Sequence, residues 1–484
     1  MEGCFMNSVT AESTAVMRIA ALLDEGSFVE IGGAITARST DFNLQDAPTP
    51  GDGVLTGYGL IDGNLVYVYC QNPEVLHGTI GEMHAKKIAN VYDMAMKMGA
   101  PVIGLIDCAG MRLQEATDAL YGFGNLYLKQ TMASGVIPQI TAVFGTCGGG
   151  LSVAAGLSDF TFMEAEKAKL FVNSPNAIPG NCESKCDTAS AEYQSSQSGL
   201  VDGSGSEAEI LGKIRELICM LPANNEDESP YAECADDLNR ICADLAGTVA
   251  DTGLLLAKIA DQQYFLELKE DYAKDMVTGF LHLNGQTVGA VANRSVIYDV
   301  EGNAENVSDG GLSVEGAEKA ARFVEFCDAF HIPVLTVTNV NGFKASEESE
   351  RRLAKASARL VYTFANATIP KVNVIAGKAF GSAGVVMNSK SVGADMVYAW
   401  LDAEIGMMDA ELAAKIMYAD ETAQVQREKA EEYRELQSSP VSAARRGYVD
   451  TLIQPENTRK YVIGAFEMLA TKREERPFKK HGTV

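Results

Sequence analysis

Two stretches far apart in the chain share one pattern of apolar and polar positions. Residues 84–110, HAKKIANVYDMAMKMGAPVIGLIDCAG, read as an amphipathic helix, a Gly-Ala-Pro break, a continuous apolar strand and a glycine turn. Residues 316–342, GAEKAARFVEFCDAFHIPVLTVTNVNG, repeat that layout. Lys87 and Lys319, Pro101 and Pro333, Asp107 and Asn339, and Gly110 and Gly342 all differ by 232. The match continues through IPQITAVFGTCGGG (137–150) and IPKVNVIAGKAFGS (369–382), where Gly149 and Gly381 keep that offset. Upstream, Gly57/Gly279 and Gly63/Gly285 differ by 222, so ten residues are added before the helix of the second copy. EGSFVEI (25–31) likewise resembles QQYFLEL (262–268).

An offset held this long marks an internal duplication. Each copy reads strand, strand, helix, strand, glycine turn, helix, strand, glycine turn, helix, strand. That is an α/β order whose strands must lie close together. The expected domains are 1–235 and 236–484. Their boundary falls in the polar segment Asn224–Gly253, which reads as helical, with NNEDESP (224–230) supplying a linker-like composition.

Composition narrows the function without changing the fold. With 484 residues, 46% of them hydrophobic, the chain has ample core. A formal net charge of −25 repels phosphate backbones and anionic lipid, so neither nucleic acid nor a membrane surface is an expected partner. The basic run from Lys472 to His481 reads as a solvated tail. No apolar stretch is long enough to span a bilayer and no secretory signal is visible, so a cytoplasmic protein is expected. Ten cysteines without paired spacing then read as free thiols, and Cys182/Cys186, with no histidine close by, do not form a metal site.

Candidate chemistry lies in the glycine turns at 108–112, 146–150, 340–343 and 380–384, each expected to follow a strand and open a helix. Backbone N–H groups at a helix start attract negative charge. Two such turns on adjacent strands, each giving one N–H, make an oxyanion hole. Removal of one such donor typically costs about 2.7–4 kcal/mol of transition-state stabilisation. For any single turn, glycine need only permit a sharp bend; four turns in two matched pairs favour the hole. Neither a P-loop nor a Gly-x-Gly-x-x-Gly fingerprint follows these strands. His77, His84, His282, His331 and His481 are scattered, and Cys108 and Cys147 read as small buried residues rather than nucleophiles. Two holes without a base point to chemistry on two carbonyl groups whose proton handling is done by a substrate or carrier.

The residues that carry these features resemble the carboxyltransferase family of biotin-dependent enzymes, which includes propionyl-CoA and acetyl-CoA carboxylase beta subunits and methylmalonyl-CoA or glutaconyl-CoA decarboxylase alpha subunits. The likeness covers nearly the whole chain. It is carried by IAALLDEGSFVEIG (19–32), GEMHAKKI (81–88), SGVIPQITAVFG (134–145), AARFVEFCDAFHIPVLTV (320–337), IPKVNVIAGKAFGSAGVVM (369–387), GADMVYAW (393–400), RRGYVDTLIQP (445–455) and KREERPFKKHG (472–482). The resemblance implies two duplicated crotonase-like domains of the ClpP/crotonase superfamily, each a ββα superhelix, in a hexamer built as a trimer of dimers. It places the active site between the N-domain of one subunit and the C-domain of its partner. The acyl-CoA thioester oxygen would be held at Gly110, Met111, Gly149 and Gly150. The ureido oxygen of biotin would be held at Gly342, Phe343, Ser382 and Ala383. The implied reaction moves a carboxyl group between carboxybiotin and the α-carbon of a short acyl-CoA, with both oxygens stabilised as enolates. Implied partners are a biotin carboxyl carrier protein and either a biotin carboxylase or membrane decarboxylase subunits.

Two further residues have open readings. Arg112 could approach the CoA or carboxyl group, or form a structural ion pair. Val385 falls where the family selects acyl chain length, as an apolar wall or as ordinary helix core. The biotin-side loop, which in most of the family reads Asp-x-Pro-Gly-Phe-Leu-Pro-Gly, here has Asn339, Asn341, Gly342, Phe343, Lys344 and Ala345, without prolines. The family's usual Gly-Gly-Ala becomes Gly381, Ser382 and Ala383. The stretch 173–206 is Ser-, Glu- and Cys-rich where the family carries Gly-Gly-x-x-x-His. These departures keep a second reading open, a structural or regulatory subunit with altered biotin chemistry. A biotin-independent crotonase-like hydratase or hydrolase is disfavoured, because no paired glutamates stand at the turns.

Overall fold

The structure is a computed structural model that describes residues 13–38, 48–299 and 301–477. It divides into two compact units, 1–230 and 231–484. The segment 222–244 before the second unit's first helix is irregular rather than helical, in keeping with its run of Asn, Asp, Glu, Ser and Pro.

In the first unit the strands are β1 (Val29–Glu30), β2 (Val54–Ile61), β3 (Asn64–Gln71), β4 (Val102–Cys108), β5 (Gln139–Gly148), β6 (Phe160–Glu164), β7 (Lys169–Phe171) and β8 (Gly203–Gly205). They form one sheet in the order β1-β2-β3-β4-β5-β6-β8, with β7 also paired to β5. Helices α1 (Thr14–Leu22), α2 (Glu82–Met98), α3 (Ala116–Ala133), α4 (Gly150–Leu157), α5 (Ala191–Ser196) and α6 (Glu207–Met220) complete the unit. In β4 every side chain except Asp107 is buried, the continuous apolar run of a central parallel strand covered on both faces. Gly99 ends α2 at φ +62° and Pro101 starts the next segment, so the Gly-Ala-Pro break does what the sequence implies.

The second unit contains α7 (Thr252–Ile259), β9 (Phe265–Leu268), β10 (Met276–Leu283), β11 (Gln286–Asn293), β12 (Val296–Tyr298), β13 (Ala304–Asn306), β14 (Gly311–Leu312), α8 (Val314–Ala329), β15 (Val334–Val340), β16 (Gly342–Phe343), α9 (Glu347–Glu350), α10 (Leu353–Asn366), β17 (Lys371–Phe380), α11 (Gly381–Val386), β18 (Met396–Trp400), β19 (Glu404–Gly406) and β20 (Thr451–Ile453). Its main sheet runs β9-β10-β11-β15-β17-β18-β20, the order of the first. Tyr67 pairs with Val102 as Gly289 pairs with Val334, and Cys108 with Cys147 as Val340 with Ala379. The β-bulge between Ile106 and Cys108 recurs between Thr338 and Val340. His331 takes Gly99's place after the helix, at φ +56°, which accounts for one scattered histidine as a turn residue. The ten added residues fall around the hairpin of β12 and β13.

Two expectations need correction. Only the second glycine turn of each half opens directly into a helix. After the first, α3 begins at Ala116, following a short 3-10 turn at Leu113–Glu115, and in the second half β16 intervenes before α9. The basic C-terminal run does not begin as a solvated tail: the Lys472 side chain is 11% exposed, and its ammonium donates to the Ile369 carbonyl at 2.8 Å and to Asp395 at 2.9 Å. Residues 478–481 of that run lie outside the described residues.

Candidate active site

The first turn is shaped by a parallel bridge between Ile80 and Met111. Ile80 N–H donates to the Gly110 carbonyl and Arg112 N–H donates to the Ile80 carbonyl, both at 2.9 Å. A residue bracketed in this way turns its own N–H away from the ladder partner. Met111 N–H therefore points outward and has no acceptor among the described residues. Gly110 N–H is directed at the Cys108 sulfur at 3.3 Å.

The second turn works differently. Gly149 holds φ +60° and ψ −126°, a conformation essentially reserved for glycine, and its N–H donates to the Phe171 carbonyl at 2.9 Å. Gly150 is the first residue of α4, whose N-terminus has no side-chain cap, so its N–H is a donor the helix cannot satisfy internally. Of the four first-half residues expected to hold an oxygen, Met111 and Gly150 thus present N–H groups, while Gly110 and Gly149 supply backbone conformation. Their own donors are used elsewhere.

A cleft of about 570 Å³ joins the two turns, lined by Gly110, Met111, Gly149 and Gly150 together with Leu120, Phe123, Tyr127, Phe171 and Val172. The aromatic residues were not foreseen. Phe123 and Tyr127 stand one helical turn apart on α3, a spacing readable in the sequence, and their rings lie 6.2 Å apart. The Tyr127 hydroxyl donates to the Gly150 carbonyl at 2.6 Å, which fixes the first peptide plane of α4. Burial pushes the Cys108 thiol up to about 11 and the Cys147 thiol well above its ordinary value, so both are inert buried residues.

Arg112 does not line the cleft. Its guanidinium, 1% exposed, donates to Asp52 at 2.6 Å, to Glu115 at 2.7 Å and to the Thr79 carbonyl at 2.8 Å. Of its two readings, the structural ion pair is the one observed. Asp52 lies in a loop whose residues 51–53 all have positive φ. Arg112, the His84 N–H at 2.7 Å, and Lys87, whose ammonium donates to the Gly51 and Val54 carbonyls, hold that loop. Burial, followed by the charge of Arg112, pushes the His84 imidazole down to about 3 and keeps it neutral.

The second half repeats the backbone device. Leu312 pairs in parallel with Phe343, and Lys344 N–H donates to the Leu312 carbonyl at 3.0 Å, as Arg112 N–H does to Ile80. Phe343 N–H is thereby turned outward, the counterpart of Met111. Gly381 has the φ of Gly149, +60°, and α11 follows beside β16. Ser382, at the offset of 232 from Gly150, is exposed, whereas Ala383 is completely buried with the core. Val385 is 45% exposed, so it is not core; its duplicate Val153 is 44% exposed. Asn341 secures the loop that lacks its prolines, its amide donating to the Asp309 carbonyl at 2.7 Å and its N–H to Gly310 at 3.0 Å.

Each half of the duplicated α/β fold thus turns one main-chain N–H of its first turn outward, Met111 or Phe343, and opens a helix without a side-chain cap at its second. The carboxyl transferase domain matches residues 9–484, and the chain belongs to that family. It is 39% identical to the propionyl-CoA carboxylase beta chain of Roseobacter denitrificans, over 97% of this chain and 93% of that one. It is 38% identical to the methylmalonyl-CoA decarboxylase subunit alpha of Propionigenium modestum, over 98% and 93%. Among solved structures it superposes on the transcarboxylase 12S hexamer core, crystallised with hydrolysed methylmalonyl-coenzyme A bound, with a TM-score of 0.91 and 34% identity, covering 97% of this chain and 92% of that one. The fold is thus the crotonase-like fold of carboxyltransferases, duplicated.

Proposed function

We propose that the chain is the carboxyltransferase subunit of a biotin-dependent acyl-CoA carboxylase or decarboxylase, acting on a short acyl-CoA of the propionyl or methylmalonyl type. The observation that carries this reading is the repeated geometry of Met111 with Gly150 and of Phe343 with Ser382. In the first half, Met111 and Gly150 N–H groups hold the thioester oxygen as negative charge develops on it. Preorganised donors of this kind stabilise an enolate without reorganising during the reaction. The apolar lining of Phe123, Phe171 and Val172 excludes water and takes the short acyl chain.

In the second half, the Phe343 and Ser382 amides suit a ureido carbonyl oxygen, a pure acceptor, and the space beside Gly342 is clear of side chains. Carboxybiotin, delivered on a carrier protein, supplies the carboxyl group. The side chains lining the first-half cleft offer no base near neutrality: burial raises the Tyr127 phenol as it does the two thiols behind the turns. Proton movement at the α-carbon therefore belongs to the carboxyl donor's side, and the chain's part is to hold and polarise. The subunit works in the cytoplasm as a hexamer, with a biotin carrier and either a biotin carboxylase or membrane decarboxylase subunits. No helix among the described residues is long and apolar enough to cross a membrane.

The test is turnover of methylmalonyl-CoA by the purified chain with free biotin. Release of CO2 that requires biotin supports the reading. Failure with methylmalonyl-CoA and malonyl-CoA, together with no calorimetric binding of a biotinylated carrier, favours the structural or regulatory subunit instead.

A further inference from the structure

Among the described cysteines, Cys182 and Cys186 alone are exposed; the others are buried or half-buried. They bracket one turn in the segment where the sequence departs from its family. Cys186 N–H donates to the Cys182 carbonyl at 3.0 Å and Lys185 N–H to the same oxygen at 2.9 Å, an isolated helical turn. One such turn brings the two Cα atoms to roughly 6 Å, within the span of a disulfide. Cβ atoms four residues apart on a helical turn stand about 5–6 Å apart, against about 3.8 Å in a disulfide, so the turn must tighten by about 2 Å. No helix or strand resists that movement, because residues 182–186 lie outside both.

The two thiols are not equivalent. Cys182 is held below the ordinary thiol range, first by its hydrogen bond with the Ser184 hydroxyl, at 3.3 Å, and then by the Lys185 N–H. It is exposed, and the lowering favours its ionised form, as suits an attacking group. No group of three or more His, Cys, Asp or Glu able to hold a metal is found among the described residues.

We propose that Cys182 and Cys186 form a site of reversible covalent modification, closing to an intrachain disulfide on reaction with a small-molecule disulfide such as oxidised glutathione. The Cys182 thiolate attacks one glutathione sulfur, breaks the S–S bond and expels one glutathione thiolate, which takes a proton. Cys186 then attacks the Cys182 sulfur, forms the protein S–S bond and expels the second glutathione. Two protein thiols lose two electrons and two protons; one glutathione disulfide becomes two glutathione thiols.

The turn is tied to the cleft. Lys169, the first residue of β7, binds Glu183 at 3.0 Å and Asp187 at 2.5 Å, one inside the turn and one just beyond it. Phe171, at the other end of β7, lines the cleft and accepts the Gly149 N–H. Closing the turn pulls on both ion pairs of Lys169, so the modification is read at the wall of the cleft.

The experiment treats the intact protein with oxidised glutathione, blocks residual thiols with N-ethylmaleimide and digests with trypsin without reduction. Cleavage after Lys185 separates the two cysteines, placing Cys182 in peptide 170–185 and Cys186 in peptide 186–213. The site predicts that these peptides stay joined, that reduction releases them, and that a non-reducing gel shows a single-chain mass. The Cys186→Ser variant should instead retain glutathione on Cys182. Peptides 170–185 and 186–213 recovered separately, both carrying maleimide or Cys182 still carrying glutathione in the unsubstituted protein, would overturn the proposal; so would a link found only between two chains.

Discussion

The two halves carry the same backbone device but support it with different chemistry. In the first half the turn at Gly110–Arg112 rests on charge: Arg112 binds Asp52 and Glu115, and the strand before it is anchored by Asp107 on Arg18 at 3.0 Å, with Arg18 also on Glu207 at 2.7 Å. In the second half the equivalent positions are Asn339 and Lys344. Asn339 donates to the Val249 carbonyl and accepts from Lys378 N–H, both at 3.1 Å, while Lys344 is exposed. What the duplication preserved is the bracketed amide, the bulge in the strand before it and a buried lysine on the preceding helix. The buttress diverged freely, because an outward N–H is fixed by ladder hydrogen bonds and not by the side chains around it.

That contrast can be broken most severely at Arg112. Arg112→Met leaves the Asp52 and Glu115 carboxylates buried without their cation, and a loss of about 3–5 kcal/mol is expected in chemical denaturation. The matched Lys344→Met should change stability by no more than about 0.5 kcal/mol, and equal losses would refute the asymmetry.

Proline at the bracketed positions sharpens the shared part. Met111→Pro removes the one N–H that the ladder does not use, sparing the bonds of Gly110 and Arg112. A fall of about 10²–10³ in kcat is expected with little change in thermal stability. Phe343→Pro should impair use of biotin while leaving acyl-CoA binding, measured by calorimetry, intact.

A smaller effect belongs to Tyr127. Tyr127→Phe loses a hydrogen bond worth about 1 kcal/mol, so kcat should fall by about fivefold with KM nearly unchanged. Its duplicate Arg359 pairs instead with Glu325 near the surface at 2.8 Å, and Arg359→Ala should leave kcat unaltered.

The smallest test uses the two buried lysines. Burial lowers Lys319 to about 7 and Lys87 to about 8, despite the carboxylates near each. Between the folded value and the ordinary 10.5, the unfolded chain holds a proton that the folded chain lacks. Stability therefore gains from both groups as pH rises through that window, and the contribution is flat below it. Lys319→Met should flatten the slope from about pH 7 upward, and Lys87→Met only from about pH 8.

Repeats, glycines and strand order were legible in the sequence because they are local patterns copied twice at fixed offsets. The same offsets carried the proposed site as far as four residues in each half. Which of those four present a donor was not legible, since it depends on whether Phe171 or a cysteine sulfur consumes the N–H. The ion pair of Arg112 was one of its two readings, but its partners were not legible: Asp52 is 60 residues away in sequence, with no spacing that announces the pair. The helical reading of 224–253 failed because polar residues there follow no amphipathic period, and the chain runs as turns.

The most direct measurement is isotope-edited infrared spectroscopy of an acyl-CoA whose thioester carbonyl carries carbon-13, free and bound. If Met111 and Gly150 hold that oxygen, its C=O stretch shifts to lower frequency on binding, and the shift shrinks in Met111→Pro. A bound carbonyl that absorbs at the frequency of the free thioester, in a protein that still turns over methylmalonyl-CoA, would contradict it.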